Sequence, residues 1–203
     1  MVGKTKSKKR TKTSKHVEAF LVVVVAIILM GIRTSLPPWC SFIFEWCSLL
    51  IIAVFLAAEL HVSKQSMSDI GIGIPQNKLA FVIKSVFWFS LLVLWVAIFI
   101  PFGIKILNDR TPVVIISFFI GAIFEEIVFR GFMLRRLLKL YDNLPFAVIL
   151  PSIIFGMIHV PPSLPLNFVY LLIVSVIYGL SYVDTNSLIA PILIHLTINV
   201  LLH

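Results

Sequence analysis

The chain has 203 residues, of which 60% are hydrophobic and only 13% are charged, and its mean hydropathy is +1.07. Soluble domains carry about a quarter charged residues, so this composition excludes an ordinary soluble enzyme and predicts one membrane domain. The formal net charge of +8 says little about the substrate, because it comes almost entirely from a basic tail at residues 1–16.

This tail holds seven of the seventeen lysines and arginines and no acidic residue. We interpret it as a disordered cytosolic segment that sets the topology of the protein. Binding to anionic lipid stays an alternative, and no nucleic-acid partner is expected. The apolar run that follows has no small-residue cleavage site, so it is predicted to be an anchor and not a cleaved signal peptide.

Seven segments are long and apolar enough to be predicted as membrane helices, which need about 20 residues. In chain order they cover about 17–32, 39–60, 79–104, 112–138, 145–160, 166–183 and 187–202. Prolines lie at or between many of the predicted ends, where they start or stop helices. The predicted fold class is therefore all-α: residues 17–203 form a polytopic membrane helix bundle of about seven transmembrane helices.

The distribution of lysine and arginine predicts the orientation of this bundle. With the basic tail in the cytosol, the basic residues of the predicted loops fall mostly on the same side. The inner residues are Lys64, Lys78, Arg135, Arg136 and Lys139, and the outer ones are Arg33, Lys105 and Arg110. The N-terminus is therefore predicted inside and the C-terminus outside.

The fourth predicted helix carries Glu125, Glu126 and Arg130 in its middle third. A charged side chain at the bilayer centre costs at least about 2.5–3.5 kcal/mol, and such residues usually mark a functional site. Two other deep polar groups are His159 in the fifth helix and His195, followed by Asn199, in the seventh.

Simple geometry predicts that these groups lie at one depth. Glu125 and His159 are each seventeen residues from a predicted turn at Asp142, so they face each other in an antiparallel helix pair. Glu125 lies roughly 15 Å from the level of Arg135, and His195 lies roughly 12 Å from the same surface. Three helices therefore bring their unusual groups to one level, which favours a functional site.

Residues four apart share a helix face. Glu126 and Arg130 are so spaced, and we expect them to form a supporting ion pair while Glu125 faces the histidines. Phe155 shares a face with His159. A pair that only neutralises itself is the alternative for Glu126 and Arg130, and each lone histidine or asparagine is by itself more typical of interhelical hydrogen bonding.

A carboxylate, two imidazoles and an amide in a dry cavity suit hydrolysis by activated water. A glutamate and a histidine together hold and deprotonate a water, and a second histidine with an asparagine donates hydrogen bonds to an oxyanion. The same carboxylate and imidazoles are zinc ligands, so a metal site stays open. The sequence contains no H-E-x-x-H motif.

The residues with this chemistry also form three motifs. "EEIVFRG" (125–131) fits E-E-x-x-x-R-G, "FGMIH" (155–159) fits F-x-x-x-H, and "HLTIN" (195–199) fits H-x-x-x-N. In this order and within several membrane helices, they resemble the CPBP family, which includes type II CAAX prenyl endopeptidases and bacteriocin-processing and self-immunity proteins. The resemblance covers a core at about 112–203, and "SDIGIGIP" (68–75) is similar to the segment that often precedes it.

The resemblance implies an intramembrane endopeptidase in the plasma membrane of a prokaryote, with a site open to the cytosol. Glu125 and His159 would activate water, Glu126, Arg130 and Phe155 would support the site, and His195 and Asn199 would stabilise the oxyanion. The expected partner is a peptide or membrane-protein substrate cut near its terminus. No cofactor is expected to be obligatory. A divalent metal such as zinc would be held by Glu125, His159 and His195.

Two alternatives belong to other classes of protein. A non-catalytic immunity or scaffold protein of the same fold would use these helices only to bind a partner. A proton-coupled carrier would use the intramembrane Glu and His as a relay, although no repeat between the two halves of the sequence supports it.

Overall fold

A computed structural model describes residues 66–73, 75–99, 101, 112–159 and 165–202, together with scattered positions between 25 and 61. The basic tail, most of the first two predicted helices and residues 102–111 lie outside the described residues. The described part is helical and contains no strand. Its elements are a 3₁₀ turn (Met67–Ile70), α1 (Lys78–Phe99), α2 (Pro112–Glu126), a π segment (Ile127–Leu134), α3 (Arg135–Tyr141), α4 (Leu144–His159), α5 (Pro165–Thr185) and α6 (Ile189–Leu202).

The described helices follow the predicted ones closely. The third, fifth, sixth and seventh predicted segments correspond to α1, α4, α5 and α6, and the fourth corresponds to α2, the π segment and α3 together. Helices α1 and α5, of 22 and 21 residues, are long and apolar enough to cross a membrane. The all-helical fold class is therefore confirmed, whereas the number of seven helices and the inside position of the N-terminus stay predictions.

A tight turn connects α3 to α4 at the position expected from the sequence. Asp142 adopts the left-handed conformation, with φ of 49°, which ends the preceding helix. The side-chain oxygen of Asn143 then accepts a hydrogen bond of 2.9 Å from the backbone N–H of Phe146, as a residue that caps a helix N-terminus does. The two helices consequently run antiparallel from this turn.

Helix α5 lies at the centre of the described bundle. On one side it packs antiparallel to α1, where Lys84 forms an ion pair of 2.8 Å with Asp184 and the indole of Trp95 donates to the carbonyl of Tyr170. On the other side it packs against α4, and Gly179 lets Val148 and Leu134 approach its backbone. The face of α5 between these contacts looks towards the π segment and α6.

The π segment was not expected, because the sequence predicted a continuous α-helix across 112–138. Here the backbone N–H of Arg135 bonds to the carbonyl of Arg130, five residues earlier. Such wide turns occur frequently at functional sites. Every residue from Val128 to Leu134 is buried, so the segment is held by packing on all sides.

The 3₁₀ turn and the residues after it pack onto the π segment. A Cβ added to Gly131 would lie 3.1 Å from the carbonyl oxygen of Ile70 and 2.9 Å from a methyl group of Leu188. The hydroxyl of Tyr182 donates to the carbonyl of Ile70, and the backbone N–H of Leu188 donates to that of Gly71 over 2.9 Å. These contacts fix the start of α6 against the π segment.

Candidate active site

Glu125 lies at the end of α2 with its carboxylate between two imidazoles. Its Oε1 is 3.4 Å from Nε2 of His159, and its Oε2 is 3.8 Å from Nε2 of His195. The side chains of Glu125 and His159 are 22% and 23% exposed, while that of His195 is only 8% exposed. The three helices therefore bring these groups to one level, as the distances from the turn predicted.

Glu126 has no exposed surface and accepts from two partners. Its Oε1 is 3.0 Å from Nη1 of Arg130 and 2.9 Å from Nδ1 of His195. The ion pair with Arg130 was predicted from the helical spacing. The contact with His195 was not, because the two carboxylates were assigned to separate faces. A single imidazole reaches both, since its two nitrogens lie on opposite edges of the ring.

These contacts fix where each imidazole carries its proton. Nδ1 of His159 lies 2.8 Å from the backbone carbonyl of Phe155, which only accepts, so this nitrogen is the donor. Nδ1 of His195 likewise donates to the Glu126 carboxylate. In a neutral ring Nε2 is then an acceptor. The Nε2 atoms of both imidazoles point towards the carboxylate of Glu125.

Arg130 is 1% exposed and is held on every side. Besides the bond to Glu126, its Nη2 donates to the hydroxyl of Ser175 over 2.7 Å and to the carbonyl of the same residue over 3.0 Å. The guanidinium carbon lies 5.2 Å from the ring centroid of Phe155 and 5.3 Å from that of Tyr178, within the range of cation–π contacts. A buried charge needs such complete pairing to be stable.

Comparison with known proteins was informative at the level of the family. Residues 105–201 match the model of the family described as type II CAAX prenyl endopeptidase Rce1-like. This match, over 97 of the 203 residues, supports the resemblance of this core to the CPBP family of intramembrane proteases. No curated protein and no solved structure matches the chain significantly.

The three CPBP motifs all lie within the matched residues, and most of their polar members meet in the structure. Glu125, Glu126, Arg130, His159 and His195 are linked by the contacts above. Phe155 stacks on the imidazole of the residue four positions later, with ring centroids 4.2 Å apart.

Asn199, one turn after His195 on α6, is half-buried. Its amide forms no hydrogen bond with any residue that the structure describes.

Two residues of this site were not predicted from the sequence, Ser175 and Tyr178, both on α5. Ser175 binds Arg130, and the ring of Tyr178 stacks on His195 with centroids 4.7 Å apart. Neither belongs to a recognised motif. A signal was present: small and hydroxyl-bearing residues recur along α5 at helical spacing, at Ser175, Tyr178, Gly179 and Tyr182, where a lipid-facing helix has no need of them.

The donor set was also compared with the requirements of zinc. Two imidazoles held through Nδ1 and one carboxylate are the ligand types and the outer contacts that zinc sites use. Among the described residues, no group of three or more His, Cys, Asp or Glu side chains is arranged as a preformed metal site. The side-chain types of Glu125, His159 and His195 thus suit a metal ion, whereas their spacing in this structure is not that of a preformed metal site.

Proposed function

We propose that this protein is an intramembrane endopeptidase that hydrolyses a peptide bond near the terminus of a peptide or membrane-protein substrate, using water activated by Glu125. One observation carries the proposal most strongly: the carboxylate of Glu125 and the Nε2 atoms of His159 and His195 converge on one partly exposed space. The carboxylate and a neutral His159 are both acceptors, and water has two protons to give them.

The activated water would bind in the partly exposed space beside Glu125 and His159. Its two O–H groups donate to the carboxylate and to Nε2 of the imidazole, which leaves a lone pair of the water oxygen to attack the substrate carbonyl carbon. Glu125 takes one proton as the new C–O bond forms. General-base catalysis of this kind contributes about 10²–10⁴-fold.

His195 and Asn199 would stabilise the oxyanion that this attack creates. The amide N–H of Asn199 is a donor in any protonation state. His195 would act as the second donor through Nε2, with that nitrogen protonated.

Collapse of the tetrahedral intermediate completes the reaction. The carboxylic acid form of Glu125 returns its proton to the leaving nitrogen, the C–N bond breaks, and the products are a free amine and a new carboxylic acid, which then loses its proton to solvent. Glu125 is then ready to bind another water, so no covalent enzyme intermediate is needed.

The location of the site fits a substrate that approaches from the membrane. The family consists of membrane proteins, and the two most exposed members of the site, Glu125 and His159, lie below the level of Arg135 and Arg136. With the predicted orientation, this level is the cytosolic surface. A prenylated peptide and an unmodified membrane-protein terminus are both compatible with a cavity between lipid and cytosol.

A metal-dependent form of the same hydrolysis is the second candidate, because the ligand types fit. Glu125, His159 and His195 would hold the ion, which would polarise the bound water or the scissile carbonyl. We favour the metal-free form, since Asn199 and a protonated His195 are better explained as oxyanion donors.

The decisive experiment is a peptidase assay of the full chain, purified in detergent or reconstituted in vesicles. It uses an internally quenched peptide library with and without a prenyl group. Activity that is lost in Glu125→Gln and retained after chelation and dialysis supports the proposal. Stoichiometric zinc, removed in step with activity and restored with it, would replace the metal-free form by the metal-dependent one.

A further inference from the structure

Five planar groups lie one after another across the site, and the central three come from three different helices. His159 stacks on Phe155 at 4.2 Å, Phe155 faces the guanidinium of Arg130 at 5.2 Å, Arg130 faces Tyr178 at 5.3 Å, and Tyr178 stacks on His195 at 4.7 Å. The cation therefore sits between two aromatic rings, and each of these rings also supports one imidazole.

We propose that Tyr178 is a positioning residue of the active site, which holds the ring of His195 so that Nδ1 meets Glu126 and Nε2 meets Glu125. This inference rests on the proposed function for its meaning in catalysis. Tyr178 does for His195 what Phe155 does for His159, although it lies on α5, outside the three motifs.

The orientation of His195 needs support from outside its own helix. Nδ1 of His159 bonds to a backbone carbonyl of the same helix turn, so that imidazole is held locally. His195 has one hydrogen bond, to a side chain on another helix. That one hydrogen bond does not by itself fix the tilt of the imidazole plane. The face of Tyr178, inclined by 23° to the imidazole, fixes that tilt.

The ring of Tyr178, and not its hydroxyl, carries this role. The side chain is 1% exposed, and its hydroxyl forms no hydrogen bond with another residue in the described part of the chain. The ring has contacts on both sides: Arg130 through a cation–π contact and His195 through stacking. Phenylalanine keeps both contacts, and leucine keeps the apolar volume but neither contact.

The test compares Tyr178→Phe with Tyr178→Leu in two independent measurements. The first is kcat and KM of the peptidase. Tyr178→Phe is expected to leave kcat within about twofold, because the ring remains. Tyr178→Leu is expected to lower kcat on the order of 10- to 100-fold with a smaller change in KM, the size of effect that misplacement of a catalytic group produces.

The second measurement is the protonation pattern of His195, which does not depend on turnover. The chain has five histidines, so ¹⁵N-labelled imidazoles give few signals, and His195→Gln assigns the relevant one. The native protein and Tyr178→Phe are expected to show one fixed Nδ1-protonated pattern. In Tyr178→Leu this pattern is expected to be lost or averaged.

Tyr170→Leu is the matched control, because Tyr170 is a buried tyrosine two turns earlier on the same helix, 5% exposed and packed on Phe99. It should lower thermal stability while the His195 signal keeps its native pattern.

The outcomes separate the two proposals. A native His195 pattern in Tyr178→Leu overturns the positioning role. So does a Tyr178→Phe variant as impaired as Tyr178→Leu, since the hydroxyl would then be the active group. Absence of any peptidase activity, with the expected changes in the His195 signal, overturns the proposed function and leaves the positioning role intact.

Discussion

Each imidazole of the site has one hydrogen bond from Nδ1 and one stacked aromatic ring, but the neighbours that supply these contacts differ. His159 and its support belong to one turn of α4, where the ring stacks on Phe155 and bonds to the carbonyl of that same residue. His195 depends on Glu126 at the end of α2 and on Tyr178 in α5. The first arrangement is local and a short motif encodes it, whereas the second exists only after three helices have packed.

The exposure of the two rings differs in the same direction. The side chain of His159 is 23% exposed and that of His195 is 8% exposed. A locally built, open imidazole suits the binding of water, and a buried one tied to a carboxylate suits the stabilisation of charge. The following predictions test this division, from the largest expected effect to the smallest.

Glu125 serves both imidazoles, so its loss should have the largest effect. Glu125→Gln is expected to reduce hydrolysis by about 10²–10⁴-fold, because the amide is nearly isosteric but accepts no proton. Thermal melting should stay within a few degrees of the native value. Activity within tenfold of the native enzyme would remove Glu125 from the role of base.

Arg130 lies between the two imidazoles and contacts the aromatic ring that supports each of them, Phe155 and Tyr178. Arg130→Ala is expected to destabilise the fold by about 3–5 kcal/mol, because Glu126 is left as a buried charge without its partner. Both activity and the midpoint of thermal unfolding should fall. Lys78→Ala, at an exposed cation at the start of α1, is the control and should change neither. Lost activity at unchanged stability would place Arg130 in the chemistry itself.

Asn199 lies one turn after His195 on α6 and is half-buried. Asn199→Ala is expected to lower kcat by about 10²–10³-fold, the usual cost of one oxyanion donor, while thermal stability is preserved because the amide has no partner among the described residues. The measurement is steady-state kinetics beside Thr197→Ala, an exposed position on the same helix. A change confined to KM would indicate substrate binding in place of oxyanion stabilisation.

The most direct comparison of the two imidazoles is the contribution of each to the free energy of unfolding. His195→Gln should destabilise the fold by about 1–3 kcal/mol, because it removes a hydrogen bond from a buried carboxylate. His159→Gln should cost less, since the carbonyl it leaves belongs to the partly exposed end of α4. Denaturant unfolding measures both. Equal losses of unfolding free energy in the two variants would contradict the proposed difference between His159 and His195.

Much of this site follows from the sequence, because much of it is local or depends on simple helix geometry. The pairing of Glu126 with Arg130 follows from a spacing of four. The meeting of Glu125 with His159 follows from equal distances to the turn at Asp142, which Asn143 fixes by capping the next helix. Even the all-helical fold follows from apolar length alone.

The remainder depends on packing, which spacing does not encode. The bond between His195 and Glu126 joins residues 69 positions apart. The part played by Ser175 and Tyr178 requires the rotation of α5 about its axis, which its apolar sequence leaves undetermined. The π segment escaped prediction as well, because residues 127–134 have an ordinary apolar composition and only their packing widens the turns.

The packing of the 3₁₀ turn onto Gly131 affects how much of the chain is needed to hold the candidate site together. The family match begins at residue 105, yet one flank of the π segment is covered by Ile70, and Leu188, the residue before α6, donates its backbone N–H to the carbonyl of Gly71. Helix α1 likewise covers α5 through Lys84 and Asp184. A fragment starting at residue 105 would thus lose the contacts that hold Leu188, at the start of α6, against the π segment, and we expect the smallest stable unit to begin before Met67.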